Sequence, residues 1–553
     1  MSSSTRPMRS SKRRRLVSMA VMTALASFGS SMVRADDPEL QALKEQLKQL
    51  QKHVDEMEAR ENARDAQAAQ NSQNAHPTAP VAQAPMSSQA VTPATQGAPP
   101  LANSSVTSAP AFYAGPVKVT LSGFVETMVV NRSRNESADW ASNYNASIPF
   151  PNSHNYDLSE FHLTERQSRI AALAQGPSDA TFATEAYVET DFGGATNGTN
   201  NEAAAFSPRV RHFYADYQDI SNGWYFLFGQ TWSLLTGEKT GMMPRNENIP
   251  LTIDGQYLVG FDWLRVSQLR VVKSFDANVF NVGFSAENPA AIISANSSAN
   301  APAINTFYQN PGVASAFVTT NNVTTDSLPD LVLKMSADPG WGHYEIFGLN
   351  RFFRSRSSIV GESGNHTRTG TGFGGSFLLP LVPKKLDFQG SFLGGHGVGR
   401  YGSAQLPDVT VSPVEGSLAT LNGYQALTGL IYRPTDRLTF LAYGGREQVS
   451  ARNYVVRVAG TTPAVYGYGY GSPFFSNAGC ETEGSATCAA NTSSLNDWDV
   501  GGWWKFYQGE IGNMQIGATW NYVKREIFSG IGGDLTTNIN IVMVSFRYYP
   551  YQK

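Results

Sequence analysis

The chain has 553 residues, 42 Lys and Arg against 45 Asp and Glu, and a formal net charge of −3. It holds no run of eighteen apolar residues, which excludes a membrane-spanning helix, and no Gly-rich phosphate loop, metal cluster or nucleic-acid motif. Charged residues are only 16% against 41% hydrophobic, which with abundant aromatics and Gly suits a large soluble β-protein or a transmembrane barrel, whose signal per strand is weak alternation.

The N-terminus separates these two. Arg6, Arg9 and the run from Lys12 to Arg15 precede a short apolar stretch from Leu16 to Gly29, and Val33-Arg34-Ala35 ends on a small residue. This predicts a secretory signal peptide over residues 1–35. The Arg13-Arg14-Arg15 cluster is also compatible with a twin-arginine signal. A barrel must cross the inner membrane unfolded, which favours the general route.

Leu40, Leu43, Leu47, Leu50, Val54 and Met57 follow at spacings of three and four, with polar residues between. This is a heptad seam and predicts a short coiled-coil helix over 36–70. Glu61 and Arg64 end it. Two readings stand: a parallel oligomer held together by a larger partner domain, or one amphipathic helix packed on its own chain. Residues 71–115 are Pro, Ala, Ser, Gln and Thr with almost no charge. They read as an extended linker with a reach of roughly 35 Å.

From residue 116 to 553 the chain reads as strand, turn, strand. The opening run from Val117 to Val130 sets the pattern. Val117, Val119, Leu121, Val125 and Val129 share one face, and Lys118, Thr120, Ser122 and Glu126 lie on the other. At fourteen residues it exceeds the roughly 9–11 a tilted spanning strand needs. Sixteen strand candidates begin near Val117, Glu160, Ala180, Ser207, Gly223, Val266, Ala277 and Leu328, then Gly342, Thr367, Lys384, Leu421, Arg437, Asn496, Ile511 and Thr536. Short turns such as Asp338-Pro339-Gly340 and Arg433-Pro434-Thr435-Asp436 alternate with long polar stretches. That asymmetry predicts an all-β fold, a transmembrane antiparallel barrel of about sixteen strands. The last strand alternates too and ends among Phe546, Tyr548, Tyr549 and Tyr551, as an interfacial aromatic girdle does.

A barrel of this size encloses an aqueous lumen. Charges on its lipid face cost roughly 2–4 kcal/mol each near the midplane. Arg209 and Arg211, read on one face with Phe213 and Ala215, are therefore expected to face water. Arg166 and Arg169 lie in the second strand, on opposite faces if it is regular. Arg265, Arg270 and Arg351 lie in or beside later strands. Basic walls favour anions, and Arg holds carboxylates in bidentate fashion. The competing reading pairs these arginines with nearby Glu and Asp, or places them at the rim against lipopolysaccharide. The connection from Ser233 to Trp263 carries Met242, Met243, Ile249, Leu251 and Ile253, more apolar surface than an exposed loop needs. It folds inward as a constriction, with Glu238, Arg245, Glu247 and Asp254 at its narrow point, or packs on a neighbouring subunit. Cys480 and Cys488 either close one small disulfide loop in an oxidising compartment or remain two thiols. His162, His212, His343 and His396 sit in or beside strands with no local Ser-His signature. No enzyme, metal or cofactor is expected.

Several stretches resemble the DcaP-like trimeric porins of Gram-negative outer membranes. They are Ser122-Gly123-Phe124-Val125, RQSRIA from Arg166, the stretch from Glu189 to Gly193, RHFYADY from Arg211, FGQTWS from Phe228 and LPDLVLK from Leu328. The signal peptide and short coiled coil belong to the same pattern. The resemblance implies a sixteen-stranded homotrimer in the cell outer membrane, its coil in the periplasm, passing small, often anionic solutes such as dicarboxylates. The chain departs from the pattern in its 452–494 stretch and its tail.

Overall fold

The computed structural model describes residues 110–552 apart from 142–143, 195–205, 295, 300, 302–305, 309–325, 360–361, 414–415 and 462–464, together with Lys48. The expected signal peptide, coiled coil and most of the linker lie outside the described residues.

In a hydrocarbon layer every backbone N–H and C=O must be paired within the protein, and a sheet achieves this only when closed. Sixteen antiparallel strands form such a ring. β1 is Val117–Arg132. β2 comes in two pieces, Glu160–Thr164 and Arg169–Gln175. β3 is Phe182–Asp191, β4 Arg209–Asp219, β5 Trp224–Trp232 and β6 Arg265–Phe275. β7 is Phe280–Glu287, β8 Asp330–Ala337, β9 His343–Ile359, β10 Glu362–Val382 and β11 Leu386–His396. β12 is Asn422–Thr435, β13 Leu438–Val449, β14 Thr492–Gly509, β15 Gly512–Ile527 and β16 Thr536–Tyr549. β16 closes on β1, from Val125 opposite Tyr548 to Arg132 opposite Ile541.

Period-two alternation decides what each strand shows. On β1, Val125 is exposed outward, while Glu126, Met128, Val130 and Arg132 are buried inward. Phe161, Ile170, Phe228, Leu269, Phe373 and Trp520 extend the exposed apolar belt around the ring. Near the short turns, ring pairs such as Trp224–Phe226, Phe275–Phe280, Trp341–Tyr344 and Trp504–Phe506 form an aromatic girdle. This is the outer surface that lipid requires.

Two expected faces are corrected. On β4 the register slips: Glu189 faces His212 while Thr190 faces Val210, so Arg211 is an extra residue. Arg209 and Arg211 do turn inward. Beyond the bulge His212, Tyr214 and Asp216 are the buried set, and Phe213 points outward, exposed. One inserted residue exchanges the two faces, so Arg211 does not share a face with Phe213 and Ala215. On β2 the break at residues 165–168 cancels the alternation that would have set Arg166 and Arg169 opposed. Neither faces lipid: Arg166 reaches Asp139 at 3.1 Å and Arg169 reaches Glu189 at 3.4 Å.

The barrel interior is largely filled. The segment Ser233–Leu264 runs inside the ring, with Leu234, Leu235, Met242, Ile253 and Val259 almost wholly buried. Its second half packs with Trp140, Tyr144 and Ile148 of the first long connection and Ala404 and Leu406 of a later one, against Val130, Ile541 and Met543 of the wall. Glycines let this segment touch the wall backbone to backbone. A Cβ on Gly260, at φ +91°, would lie 2.1 Å from Ala426 O, and one on Gly445 would lie 1.8 Å from Val259 O. Cys480 and Cys488 form a disulfide in the connection before β14.

Gly260→Ala is expected to lift the inner segment off β12, since the strained backbone alone costs of order 1–3 kcal/mol. Limited proteolysis of the variant in detergent checks this. New cleavage between residues 233 and 264 is the expected result, and a parental pattern contradicts the docking.

Candidate functional site

Below the packed segment the barrel holds a cavity of about 570 Å³ that reaches the short-turn end. One wall is supplied by β2, β3 and β4 through Arg169, Glu189, Arg211 and His212. The inner segment covers it with Arg245, Glu247, the run Ile249 to Thr252, Asp254 and Tyr257. The far wall comes from β12 to β16 and their turns, through Arg433, Asp436, Arg437, Trp503, Lys505, Arg547 and Tyr549. Seven lining side chains are basic and four acidic.

The wall at β3 and β4 is a charge network. Arg211 donates from Nε to Glu189 Oε1 at 2.7 Å and from Nη1 to Asp191 Oδ2 at 2.9 Å. Its Nη2 donates to the Tyr257 hydroxyl at 2.9 Å. Arg209 holds Asp191 in bidentate fashion, at 3.0 and 2.7 Å. Arg169 adds a contact to Glu189 at 3.4 Å. Three guanidinium groups thus share two carboxylates. Arg245 reaches Glu185 at 2.5 Å and lies 5.3 Å from the Tyr187 ring centroid.

Tyr257 and Arg245 both hold left-handed backbone, at φ 64° and 69°. Such conformations persist in non-glycine residues where surrounding contacts fix them. For Tyr257 the contact is Arg211. Burial works to raise the Tyr257 phenol, but Arg211, Arg265 and Arg169 outweigh it and bring it down to about 7.

The far wall is less neutralised. Arg547 meets Glu126 at 3.1 Å and lies 4.5 Å from the Trp503 ring centroid. Arg433 meets Asp387 at 2.5 Å. Arg437 and Lys505 border the cavity with no ion-pair partner among the described residues. Sequence reasoning passed over both, because a cation beside a turn reads as an ordinary surface residue. The usable signal was their position: turns at the end of inward-facing strands ring the mouth of the lumen.

The structure places the sequence candidates in two groups. Arg169, Arg211, Arg245, Glu247 and Asp254 border the cavity. Arg209 stands behind Asp191, and Arg166 lies over the Phe206 ring at 4.7 Å. Arg265 packs 4.7 Å from the Trp232 ring centroid. Arg270 is buried and donates to Trp232 O at 2.7 Å, and Arg351 is buried between Asp330 at 3.1 Å and Asp408 at 2.6 Å. Glu238 is buried, bridged to Glu247, with its N–H donating to Glu345. These last three fasten folded-in segments to the wall.

No protein-family model matches the sequence, and no curated protein sequence matches it. Among solved structures, the fold is similar to that of the outer membrane channel DcaP of Acinetobacter baumannii, at 17% identity over 79% of this chain and 99% of that one, with a TM-score of 0.54. An anion-selective porin of Comamonas acidovorans is similar at 9% identity over 78% of this chain and 99% of that one, with a TM-score of 0.40. Salmonella typhi OmpF is similar at 8% identity over 79% and 100%, with a TM-score of 0.41. The fold is thus that of the DcaP channel, a closed barrel of sixteen strands.

An ultraviolet difference titration checks the electrostatics of this site. The parent is expected to gain one tyrosinate equivalent through neutral pH, because the Tyr257 phenol titrates far below a free tyrosine. Tyr257→Phe is expected to lose that step. A neutral-pH step that persists in the variant contradicts the assignment.

Proposed function

We propose that this chain is a porin of a Gram-negative outer membrane, passing small hydrophilic solutes by diffusion and preferring anions, dicarboxylates among them. The observation that carries the reading is the cavity of about 570 Å³ with seven basic and four acidic lining side chains, inside a ring whose outer surface is apolar. Basic side chains stand on both walls, Arg169 and Arg211 within the carboxylate network on one and Arg437 and Lys505 on the other, an arrangement that suits a solute with two separated carboxylates. The DcaP channel fold supports the same reading. In it the short turns face the periplasm, the long connections face outward against lipopolysaccharide, and three copies assemble through the barrel and the 36–70 helix.

A second reading is a structural barrel with a plugged lumen, tethered by its N-terminal segments. It draws on one observation: the lower cavity and a second one among the long connections share no lining residue. A hydrolase is disfavoured. His212 Nδ1 does lie 2.9 Å from Thr231 Oγ1, but that hydroxyl is fully buried.

Conductance of the purified full-length protein in planar bilayers decides between channel and plug. Openings grouped in threes, with chloride current reduced by added succinate, are the expected result. A folded protein that inserts without conductance contradicts the porin.

A further inference from the structure

The second cavity, about 650 Å³, lies among the long connections at the opposite end of the barrel. Two charged side chains line it, Glu136 and Arg525. They differ in their surroundings. The Glu136 side chain is buried against Arg132, whose Nε lies 3.0 Å from its carboxylate and whose Nη1 also meets Glu160 at 2.7 Å, so one guanidinium serves both carboxylates. Arg525 is only 6% exposed, yet every hydrogen-bond partner it has among the described residues is neutral. Its Nε donates to Thr492 Oγ1 at 2.8 Å, Nη1 to Ile148 O at 2.9 Å and Nη2 to Ala490 O at 2.8 Å. Of the other buried arginines of the wall, Arg132, Arg211 and Arg351 each meet a carboxylate, whereas Arg270 bonds to Gln268, Met242 O and Trp232 O but lines neither cavity. Arg525 makes no ion pair among the described residues, so one positive charge stands uncompensated in the cavity lining.

The rest of the lining is neutral and mixed, polar side chains beside apolar ones such as Ile148, Ile292 and Ile293, with two rings. Asn152 spends its amide nitrogen on Ser485 O at 3.1 Å and Asn155 spends its own on Ser137 Oγ at 3.0 Å. Their amide oxygens, which make no hydrogen bond among the described residues, are left to accept from hydroxyl groups. Phe150 lies 5.3 Å from the Arg525 guanidinium and Tyr470 stands beside it, its hydroxyl committed to Thr492 O at 2.7 Å. The volume falls within the roughly 300–1,000 Å³ of small-molecule sites.

We infer that this outer cavity is a second binding site, for a singly charged anion bearing hydroxyl groups, a solute of the sugar-acid class. Arg525 supplies the charge for one carboxylate, and the asparagine oxygens receive hydroxyls. The site goes beyond the porin reading and rests on it only for direction: a solute held here is held before it reaches the lower cavity. The two sites differ in kind. The lower one offers basic groups on two walls, and the outer one offers a single cation and one buried carboxylate among neutral polar and apolar groups.

The test is isothermal titration of sodium gluconate into the detergent-solubilised full-length protein, so it does not depend on conductance. Arg525→Gln removes the charge. Ala489→Asp adds a carboxylate at an exposed lining position and leaves the Arg525 hydrogen bonds untouched, so it carries the test if the first variant does not fold. Each is expected to weaken gluconate binding roughly tenfold or more, the scale of one lost charge-assisted contact. Unchanged affinity in the folded variants overturns the inference, as does a parent that binds no gluconate. Affinity lost instead in Lys505→Gln places the binding in the lower cavity and overturns it equally. Failure of the porin reading shows separately, as absent conductance.

Discussion

The Arg211 guanidinium bonds on three sides, to Glu189 and Asp191 of β3 and to the Tyr257 hydroxyl of the inner segment. Removing one partner from a buried charge pair typically costs about 3–5 kcal/mol, because the other charge is left unpaired. The position therefore fixes three things together: the register of β3 on β4, the bulge that brings Arg211 inward, and the place where the inner segment stops. A barrel in lipid makes such a hub necessary. Charges cannot face outward, so they crowd inside and must meet partners there.

The same pressure shapes the upper half. The long connections carry their own apolar residues inward, and the barrel acquires a hydrophobic core around Trp140, Tyr144, Ile253 and Phe261. Where the inner segment carries polar atoms, the wall answers them. Lys334 donates to Thr236 O at 2.8 Å, and Glu447 accepts from Gly260 N at 2.8 Å. What remains open lies beyond this packing at each end, and both open spaces carry cations with no ion-pair partner among the described residues: Arg437 and Lys505 below, Arg525 above.

Much of the fold was legible because its signal repeats. Each of the sixteen candidate strand starts falls within five residues of an observed one. The apolar content of residues 233–263 left two courses open in the sequence, folding inward or packing on a neighbouring subunit, and the segment lies inside the ring. Other features had no sequence signal. A bulge adds a residue without changing composition, so the two faces of β4 could not be told apart beyond Arg211. The roles of Arg270 and Arg351 depended on which distant connection would cover them: Trp232 O in one case, and Asp408, 57 residues away, in the other. The free cations at the mouth look in sequence like any turn residue. Alternation specifies a strand locally, whereas partners across a lumen are set by closure of the whole ring.

The account turns on the sign of the field inside the lower cavity, and the zero-current potential across a potassium chloride gradient reads that sign directly. With seven basic lining groups against four acidic ones, chloride is expected to carry the larger share of current. A potential of the opposite sign, with potassium preferred, would contradict the account at its centre.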